Sequence, residues 1–281
     1  MDWLIEPFEL AFQQRALLGG SLAAIALALV GTWVVIRGMT FLGDALVHGV
    51  VPGIAIAILL DFSVVLGALV AVGVMLVGIS LVHRQTTFSE DTSIGLLFVG
   101  MLGLGVILVS RTASYATNLT TILFGDALGV TQGDIVVLAA LAVIVVVASI
   151  VLYRPFLALS FNEQKAQLLG MRPRLAHAML LVLIALAIVG SFQTVGTLLV
   201  FGLLVGPPAT AALVVRKVPA ILGLAVVIGV ASVFVGMLVS FHADTSASAT
   251  IAVVPIVAFF VVLAVRSVWS SRSGLAAGVP G

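Results

Sequence analysis

Residues 135–153 read IVVLAALAVIVVVASIVLY. Nineteen consecutive positions carry no charge, and apolar side chains point every way around the helix they would form. A helix of about 20 residues crosses about 30 Å of hydrocarbon, so this stretch reads as a membrane span. Similar runs recur along the chain with small polar clusters between them. Nine are predicted, over residues 16–36, 44–60, 63–82, 93–109, 135–153, 177–190, 196–215, 219–241 and 249–265. The sixth is short and its boundary is the least defined, so eight to nine spans are expected.

Composition agrees. Of 281 residues, 62% are hydrophobic and 8% charged, whereas soluble domains carry about a quarter charged residues. Too little polar surface exists to cover a soluble helical core. The net charge of +1 gives no footprint for nucleic acid, and the lack of cysteine excludes disulfides and thiolate metal sites. The expected fold class is therefore all-α and polytopic. One transmembrane domain covers residues 1–265, and a flexible tail covers 266–281. The opening MDWLIEPFELAFQQR is acidic and amphipathic, unlike a secretory signal, and is expected to lie uncleaved on the membrane surface.

Orientation follows from the basic residues. With the N-terminus outside, Arg37, Arg84, Arg154, Lys165, Arg172, Arg174, Arg216, Lys217, Arg266 and Arg272 fall inside. Only Arg15 and Arg111 fall outside. The expectation is N-out, C-in. Two connections are long. Residues 110–133 lie outside, and their apolar middle, 119–128, is too short to cross and reads as a short outer helix containing Asp126. Residues 154–173, RPFLALSFNEQKAQLLGMRP, lie inside and form the most polar stretch. Within it, Asn162 can cap a short surface helix that stops at Gly170, suited to docking a soluble partner. An ordinary connecting loop is the plain alternative.

The polar cluster that needs a reason is FLGDALVHGVVPG, residues 41–53. Asp44 and His48 are four apart, so one helix face carries both, with Cβ atoms about 5–6 Å apart. An aspartate at the centre of a span costs about 2.5–3.5 kcal/mol and normally faces a bundle interior or a wet path. Pro52 has no N–H for the His48 carbonyl, so a helix break is expected there. Carboxylate and imidazole together suit manganese, iron or zinc. One chain supplies two such ligands, and two copies about a two-fold axis could supply four. Three readings stay open: metal contact, a structural Asp–His pair, and a proton relay.

Gly206-Pro207-Pro208 is expected to interrupt the seventh span, as a gate or as a static kink. His242 and Asp244, in FHADTSAS at the outer mouth, are weaker metal candidates. Glu90 and Asp91 read as helix-start charges, and His177 as interface filler. No G-x-x-x-x-G-K-[ST] loop exists, so this chain has no ATP site of that kind and is not expected to be an enzyme.

Five segments carry a family resemblance. They are RGMTFLGDALVHGVVPGIAIA (37–57), FSEDTSIGLLF (88–98), LTTILFGDALGVTQGD (119–134), LSFNEQKAQLLGM (159–171) and QTVGTLLVFGLLVGPPATAAL (193–213). In this order they resemble the membrane permeases of bacterial ABC importers for manganese, zinc and iron. The resemblance implies a type II importer-like fold with fewer helices than the cobalamin importer. It implies a permease dimer, homodimer favoured, with the path between protomers in the bacterial cytoplasmic membrane. Two copies of a separate ATPase and an extracytoplasmic metal-binding protein would be the partners. Phe161, Asn162, Glu163 and Gly170 map to the coupling helix, where Glu163 replaces a proline common in the family. Residues 119–128 map to a gating element. Asp44 and His48 map to the family's aspartate and histidine, which favours metal contact. No permanently bound cofactor is expected, only the transported ion, with manganese favoured over zinc or iron. The rival is a proton-coupled secondary transporter using Asp44 and His48 as its relay.

Overall fold

The computed structural model describes residues 6–110, 125, 128–161 and 172–276. Among them it is all helical. The helices are α1 (Ala11–Ile36), α2 (Thr40–Gly49), α3 (Val51–Leu59), α4 (Val64–Gln85), α5 (Glu90–Val109) and α6 (Gln132–Val151). They continue with α7 (Tyr153–Phe161), α8 (Pro173–Phe192), α9 (Val195–Val214), α10 (Val218–Ala243) and α11 (Ala247–Ala276). With α2 and α3 counted as one crossing, nine segments among the described residues are long and apolar enough to span a membrane.

Boundaries follow local chemistry. Ser63 caps α4 and Ser89 caps α5 through their hydroxyls, with Glu90 and Asp91 in the first turn as expected. Thr131 and Asp134 form a reciprocal capping box at the start of α6. The sixth span is longer than its sequence pattern showed. It begins at Pro173, a residue suited to a first helical turn, and the basic pair Arg172 and Arg174 hid that start.

Two expectations are corrected. Pro207 and Pro208 do not interrupt α9: the helix runs through both, and the backbone irregularity lies at Gly196 (φ 77, ψ 161). α11 continues to Ala276, into the segment read as a flexible tail, and Arg266 donates to the Leu213 carbonyl. Glu6–Glu9 forms a 3-10 turn, and Phe8 stacks on Phe234 of α10 with ring centroids 5.1 Å apart.

Glycines set how the helices thread. Against α1, Gly20 meets Val233 and Gly229 meets Ala24, so α10 runs antiparallel. Gly202 meets Ala252 and Gly206 meets Pro255, so α9 and α11 run parallel. Gly53 and Gly67 bring α3 and α4 together backbone to backbone. Outward faces are apolar. Leu66, Val70, Val74, Val77 and Leu81 form an exposed stripe along α4, at the three-and-four spacing of one helix face. Water would not tolerate such stripes on a monomer, and lipid does. Inside, Trp33 is 1% exposed and meets Tyr153 and Phe156 edge-on, at 5.8 and 5.5 Å between centroids. This ties α7, which leads into the polar 154–173 segment, to α1.

Candidate functional site

The face of α2 is fixed by what it buries. Leu42, Gly43, Ala45, Leu46, Val47 and Gly49 are all buried. Gly43 lies close to Leu204 of α9 and Val34 of α1, and Gly49 lies against Met75 of α4. With those positions packed inward, Phe41, Asp44 and His48 are left on the opposite face. The Asp44 and His48 side chains are 30% and 27% exposed. His48 Nε2 lies 3.6 Å from Asp44 Oδ1, longer than a hydrogen bond. The two groups share a face and lie within ion-pair distance of each other.

Aromatic rings frame the pair. Phe98 of α5 meets His48 edge-on at 6.0 Å and Phe41 at 6.1 Å between centroids. Sequence reasoning missed Phe98, because nothing local links positions 48 and 98. The break anticipated at Pro52 falls at Val50, with Pro52 in the first turn of α3. The Val50 N–H turns to the His48 carbonyl, which Pro52 cannot serve.

A face holding a carboxylate and an imidazole on a membrane-crossing segment is unsuited to lipid. Among the described residues, no group of three or more His, Asp or Glu side chains is placed to hold a metal ion.

The other candidates lie elsewhere. His242 and Asp244 are exposed at the end of α10, the end that adjoins the start of α1. His242 Nδ1 is 2.9 Å from the Leu238 carbonyl, and Asp244 takes a left-handed conformation as it ends the helix. They do not join Asp44 and His48. Phe161 ends α7, while Asn162, Glu163, Gly170 and Asp126 lie outside the described residues. His177, read as filler, is 2.9 Å from Arg37 Nη1 through its Nδ1, linking the end of α1 to the start of α8.

A family model described as the ABC 3 transport family matches residues 9–266. The chain belongs to the ABC 3 transport family. The five motifs, and the resemblance drawn from them to metal importer permeases, are thereby borne out. This ABC 3 chain is 33% identical over 244 residues to the manganese transport system membrane protein MntC of Halalkalibacterium halodurans, covering 87% of this chain and 84% of that protein. It is 31% identical over 258 residues to the chelated iron transport system membrane protein YfeD of Yersinia pestis, covering 92% and 86%. Its fold matches PsaBC from Streptococcus pneumoniae, solved in complex with Fab, with a TM-score of 0.84 at 28% identity, over 92% of this chain and 94% of that one. The ABC 3 chain is thus a multi-pass permease of the bacterial cytoplasmic membrane with an importer-permease fold.

Proposed function

We propose that this chain forms the path of an ATP-driven importer for a divalent transition metal, with manganese the favoured ion and iron or zinc the alternatives. The observation that carries this is the partly exposed Asp44–His48 pair on a spanning helix. The ion is bound by Asp44 and His48 of two facing copies, four ligands in all, held weakly enough to release it. The manganese and chelated-iron systems of the relatives support the choice of ion. Aspartate with a single histidine per chain leans away from a zinc site, which favours histidine and cysteine.

ATP is hydrolysed by a separate subunit, two copies per permease dimer. It docks on the segment after α7 through Phe161, Asn162, Glu163 and Gly170. The packing of Trp33 on Tyr153 and Phe156 gives that segment a stiff base. An extracytoplasmic metal-binding protein delivers the ion at the outer mouth, where His242 and Asp244 receive it and residues 119–128 gate its entrance. The chain forms one transmembrane domain and sits N-out, C-in.

The test is uptake into proteoliposomes holding the permease with its ATPase and binding protein. Manganese, iron and zinc are compared with and without ATP, for the wild type and for Asp44→Ala with His48→Ala. ATP-dependent uptake that falls at least about tenfold in an assembled double variant is the expected result. ATP-dependent uptake untouched by the substitutions would return the pair to a structural role. Uptake driven by a proton gradient without ATP would favour the relay.

A further inference from the structure

The bundle end where α1 and α4 finish and α2, α5 and α8 begin holds a cavity of about 780 Å³. Arg37, Arg84 and Arg174 line it, against one carboxylate, Glu90. His83 and His177 also face it. This is not the Asp44–His48 face. α2 contributes Leu42 to the cavity, and at 100° per residue Leu42 lies on the far side of the helix from Asp44 and His48.

A second, apolar cavity of about 460 Å³ adjoins it between α4 and α8. The two share Leu76, Ser80, Arg84, Ala178 and Leu181. The apolar one continues along Val77, Leu81 and Val182, all exposed on the lipid-facing surface. Small side chains at Ser80 and Ala178 leave the gap between the helices. α4 and α8 run antiparallel here, with Arg84 and Arg174 at one end and Val77 and Val182 at the other. At a rise of about 1.5 Å per residue the groove reaches about 10–12 Å into the membrane from the arginines.

A cationic cavity opening into an apolar groove at the membrane boundary matches one class of ligand. We infer that this is a site for an anionic phospholipid, its phosphate in the arginine-lined cavity and an acyl chain in the groove between α4 and α8. Guanidinium groups bind phosphate oxygens through two parallel hydrogen bonds, and basic pockets between spanning helices recognise anionic headgroups. Among the described residues Arg84 and Arg174 form no ion pair, so their charge is available. A transported cation would be repelled by this cavity, which sets the site apart from the path. Arg174 begins α8, just after the proposed ATPase-docking segment, so the lipid would brace α4 against the helix that segment leads into. The site depends on the membrane-spanning fold and not on which ion is carried.

The test is native mass spectrometry of the full permease, alone and with its ATPase, titrated with dioleoyl phosphatidylglycerol, cardiolipin and phosphatidylcholine. The wild type should keep the two anionic lipids and not phosphatidylcholine. Arg84→Gln with Arg174→Gln should weaken anionic binding about tenfold or more. Ser80→Trp, which fills the groove and leaves the charges, should do the same, and it carries the test if the double variant does not fold. Equal retention by the variants overturns the site. Competition by inorganic phosphate would make it a soluble-anion pocket. Release of the lipid on ATPase binding would make it a protein-docking surface.

Discussion

The Leu204 carbonyl oxygen occupies the place where a side chain on Gly31 would begin: a Cβ built there would lie 1.8 Å from it. The cause is visible in the sequence of α9. Leu204 would take the N–H of residue 208, and Pro208 has none. The unserved carbonyl is turned to the Cα–H of Gly31, a weak but real donor, and the close approach seals α1 against α9.

Gly31→Ala should therefore destabilise the bundle, by about 1–3 kcal/mol. Gly73→Ala is the control, because nothing lies within 4 Å of a Cβ at Gly73 and alanine favours helix. Thermal unfolding in detergent should show a clear drop for the first and no loss for the second. Equal melting of the two would remove the close approach as a determinant of stability.

Gly196 turns the chain between α8 and α9 at φ 77, ψ 161, a region open almost only to glycine. Gly125, at φ 63, lies so close that its Cβ would be 2.3 Å from Gly196 N. Gly196→Ala should cost on the order of 1–3 kcal/mol and Gly125→Ala should also lower the melting temperature. Gly38→Asn should be tolerated, since φ at Gly38 is 67 with open space around it and asparagine visits that conformation. A melting series over the three variants checks the order.

Helix α2 should face its partner copy across the two-fold axis. Phe41, 41% exposed on the same face as Asp44 and His48, is the position to probe. The chain has no cysteine, so Phe41→Cys introduces a single thiol. A short thiol-reactive cross-linker should trap a covalent dimer in membranes, whereas Val136→Cys on the exposed face of α6 should not. A dimer trapped only through α6 would move the axis, and the path with it, away from Asp44.

The same absence of cysteine makes orientation directly measurable. Ser246→Cys, between α10 and α11, should react with a membrane-impermeant maleimide in intact cells. Thr87→Cys, between α4 and α5, should react only after permeabilisation. The reverse pattern would invert the topology drawn from the basic residues.

Much of this was legible in the sequence. Each span must supply its own run of apolar residues to match the hydrocarbon, so the order of the crossings is written locally. Asp44 and His48 could be placed on one face because four residues make about one turn. The start of α8 at Pro173 was obscured by neighbouring arginines. The passage of α9 through Pro207 and Pro208 was not legible at all. A carbonyl that loses its helical donor can be accommodated by a neighbouring helix, and only the packed structure supplies the neighbour.

The sequence by itself determined how many times the chain crosses, where the polar groups sit along each crossing, and which family it joins, because length, hydropathy and motif are local properties. The tertiary structure decided which way those groups face. Helices that are apolar all round carry no directional signal. Their rotation is set by where glycines let backbones touch, at Gly31 on Leu204, Gly53 on Gly67 and Gly43 beside Leu204. That packing turned Asp44 and His48 outward, set Phe98 beside His48, and joined Arg37 to His177 across 140 residues.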